Sequence, residues 1–283
     1  MISVPAAMAM GATVRSWITV PLRLLKDEDI AAAAELSAEA GWNQTADDWR
    51  TLLRLAPEGC FGMDADGRLV STATLLCFGR ELAWIGMVLT TAAYRRRGFA
   101  RALLLHTVER ADEIGIESLK LDATDQGQPL YESLGFRVEQ PVERWWRPSR
   151  RPANSVSAGS LAPGSLAMDR EATGADRRRL LEALEGHGGV SSEPDGFCLS
   201  RPGRRANYVG PCVSRDGKLA RRLLETCANE DSYWDLLPQN RAALEMAAEL
   251  GFARARRLVR MVRGRDLRGR EDWIYAIAGF EWG

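Results

Sequence analysis

Histidine is nearly absent from this chain. His106 and His187 are the only two, and neither belongs to an H-E-x-x-H or paired Cys-His spacing. Both read as structural residues; a catalytic metal is not expected, and a Ser-His-Asp hydrolase has little support because G-x-S-x-G is also missing. Cysteine is sparse. Cys60, Cys77, Cys198, Cys212 and Cys227 form an odd set without a C-x-x-C pair, the pattern of buried thiols in a reducing compartment. No apolar run reaches the length of a membrane span, and the apolar opening, residues 1–12, has no basic leader and is broken by Pro5 and Gly11. No membrane partner is expected, and a cytoplasmic location follows as the default.

Net charge is lacking too, since 38 basic residues meet 38 acidic ones. Residues 1–146 hold 15 basic against 20 acidic side chains and residues 147–283 hold 23 against 18, a split that slightly favours docking of the two halves. Arginine clusters at 177–179 and 254–260 raise the alternative of a nucleic-acid module, but the compensating acids argue for no nucleic-acid partner. What is present, 46% apolar and 27% charged residues over 283 positions, fits a folded soluble protein of two domains.

Hydrophobic spacing and turn residues predict a strand at 22–25, an Ala-rich helix ending near Gly41, and a second helix started by Thr45 with Asp48 three residues on. Three successive strands follow at 60–63, 69–78 and 82–89, separated by Asp66-Gly67 and Gly79-Arg80. From Phe99 apolar residues recur at three-and-four spacing up to Gly115, then come a strand at 119–122, a short helix at 129–134 and a strand from Phe136. Residues 148–164 shift to Pro, Ser, Ala, Gly and Asn and predict a linker. Beyond it, helices are expected at 177–184 and 241–250 and strands at 208–213, 234–237 and 273–278. Leu250-Gly251-Phe252 repeats Leu134-Gly135-Phe136, a weak sign of internal duplication.

The sharpest feature is the strand ending at Leu89 and Thr90 that leads into Arg95, Arg96, Arg97, Gly98, Phe99, Ala100 and Arg101 and then directly into a helix. The first N–H groups of a helix lack intrahelical partners, and with the helix dipole they favour a phosphate. Gly98 lets backbone approach it, and the arginines add charge and forked donors. A solvated charge run capping an ordinary helix is the plain alternative. No G-x-x-x-x-G-K-[ST] loop or strand-linked G-x-G-x-x-G fingerprint competes.

Arg95, Gly98 and Ala100, followed at the expected separation by Leu130-Tyr131-Glu132-Ser133-Leu134-Gly135-Phe136, resemble the two signature segments of the GNAT superfamily of acyl-CoA N-acyltransferases. The resemblance implies an α/β fold of the α+β kind, a mixed, mostly antiparallel sheet flanked by helices over residues 20–146. It further implies a linker at 147–166 and a smaller, degenerate GNAT-like domain at 167–283 that lacks the R-x-x-G-x-A segment after Val209-Gly210-Pro211. Acetyl-CoA is then the acyl donor, and a primary amine of a small molecule or peptide attacks it directly. Val88, Leu89 and Thr90 would bind the pantetheine arm, with Thr124 on the other side; Thr90, Thr91 and Ala92 depart from the usual Val-Asp and Pro there. Tyr131 matches the proton donor to the departing thiolate, or is a core aromatic. Asp122 is a candidate acceptor for the amine's proton, or a loop cap. Trp42 and Asn43 are candidates for the acceptor pocket, Trp42 equally for core packing, and Asp235 for a wall contributed by the second half. A non-catalytic acyl-CoA sensor and a homodimer both stay open.

Overall fold

The expected start of the second helix is built as its spacing implies: the Thr45 hydroxyl accepts from the Asp48 N–H, and Asp48 accepts from the Thr45 N–H at 2.7 Å. The structure is a computed structural model that describes residues 21–148, 159–228 and 231–283. The apolar opening and much of the expected linker lie outside the described residues.

The first half comprises β1 (Leu22–Leu24), α1 (Ile30–Glu39), α2 (Ala46–Leu55), β2 (Cys60–Ala65), β3 (Arg68–Phe78), β4 (Leu82–Thr90), α3 (Phe99–Glu113), β5 (Ser118–Ala123), α4 (Gln128–Glu132) and β6 (Arg137–Arg147). The second comprises α5 (Ser165–Thr173), α6 (Arg178–Glu185), β7 (Gly189–Glu193), β8 (Gly196–Arg201), β9 (Asn207–Ser214), α7 (Gly217–Cys227), β10 (Ser232–Leu236), α8 (Arg241–Glu249), β11 (Ala253–Gly264) and β12 (Ile274–Ala276). The end of the expected linker is therefore helix, since α5 begins at Ser165.

The strands join into one sheet in the order β1-β2-β3-β4-β5-β11-β6-β10-β9-β8-β7, with β12 on β9. The halves exchange their long last strands. β11 of the second half lies between β5 and β6 of the first, and β6 pairs with β10. β6 and β11 are antiparallel and centred on the pair Val142↔Leu258. Around that centre the halves are related as two copies: β4 and β5 pair in parallel, and so do β9 and β10. Gly135 and Gly251 both have positive φ, 87° and 81°, and each reverses the chain so that the next N–H reaches back over a helical turn: Phe136 to the Tyr131 carbonyl, Phe252 to the Ala247 carbonyl. The repeated Leu-Gly-Phe thus marks corresponding positions.

Two faces follow from this. On one, α3 covers a core of Phe61, Ile85, Leu103, Leu104 and Phe136, and α7 with α8 covers a separate core of Leu223, Leu224 and Trp234. The other face carries one core that runs through both halves and includes Leu36, Trp49, Trp84, Leu181, Phe197 and Trp282. Each such buried side chain contributes about 1.5–3 kcal/mol, so this shared face is what welds the halves together. Four of the five cysteines are buried as expected, but Cys77 is exposed.

Candidate active site

β4 and β5 pair at Ala83↔Leu119 and Trp84↔Lys120 and then separate. Val88, Leu89 and Thr90 lie beyond the last pair and border the gap. Leu89 and Thr90 are anchored from behind: the Ser71 hydroxyl donates to the Leu89 carbonyl at 2.7 Å and lies 2.8 Å from the Thr90 hydroxyl. The next turn is tied to α1, because Glu39 accepts from the Thr91 hydroxyl and the Ala92 N–H, both at 2.6 Å. Those two bonds hold the Glu39 carboxyl below the usual carboxylate range. Arg95 folds back, its Nε donating to the Thr90 carbonyl at 3.0 Å.

At the start of α3, Gly98 has φ of 93°, no side chain caps the helix, and a Cβ on Gly98 would meet no atom within 4 Å. The N–H groups of Phe99, Ala100 and Arg101 therefore open a helix end of 15 residues with space before it. Arg97 stacks over Tyr94 at 4.9 Å and Arg101 donates to Ser133 at 3.1 Å, tying α3 to α4. The donor geometry and the open space fit a diphosphate.

On the far side of the gap, the Thr124 hydroxyl accepts from the Gly127 N–H at 3.2 Å and so shapes the turn into α4. That turn presents Tyr131, 9% exposed, edge-on to Phe136 at 6.0 Å. Burial raises the Tyr131 phenol above its ordinary value, so it is protonated at neutral pH.

The other site expectations land elsewhere. Both Asp122 oxygens face Arg260 of β11, at 2.9 and 3.1 Å, and the Asp122 side chain is fully buried. Burial pushes its carboxyl above the usual range against the pull of Arg260. Asp122 joins the exchanged strand to β5, and both its oxygens are taken up by that arginine. Asp235 is its counterpart: it is bound by Arg144 of β6 at 2.7 Å through two bonds, with the Tyr208 hydroxyl also donating to it. Arg144 and Arg260 are separated by the same interval as Phe136 and Phe252, so the two buried pairs are equivalents across the centre of the sheet. Asn43 is a latch between halves. Its Oδ1 accepts from the Arg205 and Ala206 N–H groups at 2.9 and 3.2 Å, and its Nδ2 donates to the Ala206 carbonyl at 3.0 Å. Trp42 is partly buried against the shared core, with its carbonyl accepting from Arg204 at 3.2 Å.

The second half repeats the architecture with the chemistry removed. β9 reaches α7 through a short turn, and Asp216 caps that helix, its carboxylate accepting from the Leu219 N–H at 2.7 Å where the first half leaves its amides open. β12 pairs with β9, and the Ile277 N–H just beyond it donates to the Asp235 backbone carbonyl on β10 at 2.9 Å, so the chain's own segment closes that gap. Ala247 stands in the place of Tyr131. We expect coenzyme A to titrate by calorimetry with a stoichiometry of one per chain; two equal sites would overturn this reading of the second half.

A splayed parallel strand pair that leads to an open, glycine-led helix start is the architecture of an acyltransferase fold, and the strand pattern occurs twice in the chain. The chain belongs to the GNAT acetyltransferases: one model of that family, described as Acetyltransferase (GNAT) family, matches residues 24–136, and a second, Acetyltransferase (GNAT) domain, matches residues 166–276. The family uses acetyl-CoA. The chain is 29% identical over 169 residues to the uncharacterized N-acetyltransferase YitH of Bacillus subtilis, covering 56% of this chain and 58% of that one. It spans just over half the length of the curated relatives it matches. Its fold is similar to that of a protein of Pyrococcus horikoshii assigned as an acetyltransferase, with a TM-score of 0.84, 22% identity and coverage of 97% and 99%. It is also similar to a tandem GNAT protein from the clavulanic acid biosynthesis pathway, with a TM-score of 0.57, 18% identity and coverage of 86% and 98%. No metal-binding cluster occurs among the described residues.

Proposed function

We propose that the first half transfers the acetyl group of acetyl-CoA to a primary amine of a small molecule or peptide by direct attack, and that the second half supplies structure rather than a second reaction centre. The observation that carries this reading is the uncapped start of α3 beside the β4–β5 gap, with Tyr131 on the opposite bank. The N–H groups of Phe99, Ala100 and Arg101 would hold the donor's pyrophosphate, and Arg96 and Arg97 would add charge around it. Backbone from Val88 to Thr90 would align the pantetheine arm. The donor supplies an activated thioester, and holding it in line with a neutral amine lowers the barrier to attack. Tyr131 would hold its proton toward the departing sulfur. Asp122, closed against Arg260, has no part in proton transfer here.

Gly98→Glu is the test of the cofactor site. A carboxylate at that position faces the same amides and repels phosphate, and hydrogen bonds to a charged group are worth about 1.5–3 kcal/mol each. Coenzyme A affinity measured by calorimetry should fall on the order of 100-fold. Unchanged affinity would remove the site. Incubating the protein with acetyl-CoA and a broad amine panel, and following thiol release, then separates a transferase from a sensor: binding without release with any amine would favour the sensor.

A further inference from the structure

On the shared face the buried cations are paired, and one exposed arginine is not. Lys120, Arg144, Arg201 and Arg260 project there and each meets a carboxylate: Glu139 at 3.0 Å, Asp235 at 2.7 Å, Glu281 at 2.7 Å with Asp48 at 3.1 Å, and Asp122 at 2.9 Å. Arg256 of β11 projects on the same face, since it stands opposite Arg144 in register, and among the described residues it has no hydrogen-bond or ion-pair partner. Its position is informative. β11 pairs with β5 only from Val259 onward, because β5 stops at Ala123, so the residues before Val259 run on beside the open end of the β4–β5 gap. Arg256 therefore lies past the end of β5, in the direction in which the β4–β5 gap opens.

Arg256 is an exposed residue, so its guanidinium is open to a ligand from solvent. Partial desolvation and the adjacent positive Arg144 disfavour its charged form, with only Asp235, already bound by Arg144 and Tyr208, opposing them. Arg144 cannot serve instead, because it is held by Asp235 and lies over the rings of Tyr208, Tyr233 and Phe280 at 5.3, 5.1 and 4.4 Å. Next along the strands on the same face, Trp146 and Tyr233 stand opposite each other in register, with Trp146 38% exposed. A planar fork of donors with no partner, with aromatic residues next along the strands, matches a carboxylate or phosphate carried on a small organic molecule.

We propose that Arg256 holds the anionic group, a carboxylate or a phosphate, of the amine that this protein acetylates. The proposal rests on the transferase reading above and narrows its substrate class to amines that also carry an anion. In that arrangement the second half selects the acceptor through a strand it lends to the first.

Matched probes test it on the full chain loaded with coenzyme A: β-alanine against ethylamine, and phosphoethanolamine against ethanolamine, titrated by calorimetry. The anion-bearing member of at least one pair should bind tighter by about tenfold or more, and the pair that shows it names the anion. Arg256→Gln should abolish that preference while leaving coenzyme A affinity unchanged, and Arg257→Gln, on the opposite face of β11, should retain it. Equal affinity within both pairs overturns the proposal, as does a preference that survives Arg256→Gln or disappears equally in Arg257→Gln. So does a fall in coenzyme A affinity in Arg256→Gln, which would assign the arginine to the donor. The transferase reading fails by different signs, namely no coenzyme A binding or no acetylation of any bound amine.

Discussion

Replacing Arg260 with methionine should destabilise the protein by about 3–5 kcal/mol, because it leaves the Asp122 carboxylate buried without its partner. Both groups lie within the sheet, Arg260 with 8% and Asp122 with 0% of its side chain exposed, and Arg260 also stacks over Trp84 at 4.6 Å. Removing both charges, as Asp122→Leu with Arg260→Met, should recover much of the loss, since an apolar pair of similar volume avoids desolvating a lone charge. Equilibrium denaturation of the two single variants and the double variant gives the coupling. The pH dependence has a definite sign. Asp122 in the folded state already holds its proton more tightly than the ordinary carboxylate, and losing Arg260 strengthens that hold. A group that binds its proton more tightly when folded stabilises the fold as pH falls, so the Arg260→Met deficit should shrink between neutral pH and about pH 4. A deficit under about 1 kcal/mol at neutral pH, or one that grows on acidification, would contradict the pairing.

The same pair shows where sequence reasoning reached its limit. Most elements of the first half were legible because each depends on local signals: Thr45 and Asp48 at a helix start, glycine after α4, three-and-four spacing in α3. The cofactor segment was legible for the same reason, since strand, glycine turn and helix are contiguous. Asp122 was not, because an aspartate at a strand end reads identically whether it faces a cleft or a guanidinium on a distant strand. The arginine-rich stretch of β11 offered a surface or nucleic-acid interpretation, yet Arg260 is a buried partner of β5. The signal that could have found it was the interval linking Leu134-Gly135-Phe136 to Leu250-Gly251-Phe252: carried forward, it superposes Arg144 on Arg260 and places Asp122 and Asp235 at the ends of matching strands. Repetition of a charged pair across an internal duplication is evidence of shared structure, and it argues against a unique catalytic role for either member. The second half was less legible where its helices carry charge. The apolar positions of α7, Leu219, Leu223 and Leu224, alternate with arginines and hide a regular start at Asp216.

Tyr131→Phe is expected to lower turnover by on the order of 10²–10⁴-fold, the range assigned to a positioned general acid, while coenzyme A affinity stays within about twofold. The phenol belongs to α4, has no hydrogen-bond partner among the described residues, and is kept protonated by burial. It therefore keeps its proton until attack and would offer it as a hydrogen bond to the developing thiolate, since full transfer from a phenol raised above its ordinary value to a thiolate of ordinary pKa about 8.5 is uphill. Phenylalanine preserves the ring packing against Phe136, so the variant isolates the hydroxyl from the core. If Tyr131 were only a core aromatic, Tyr131→Phe would leave turnover intact. Single-turnover measurement at saturating acetyl-CoA keeps product release from masking the effect. The second half differs at both places: it has Ala247 at the corresponding turn and Asp216 capping its helix start. A phenol beside the open helix and an alanine beside the capped one agree with a proton donor that serves a ligand at the open helix.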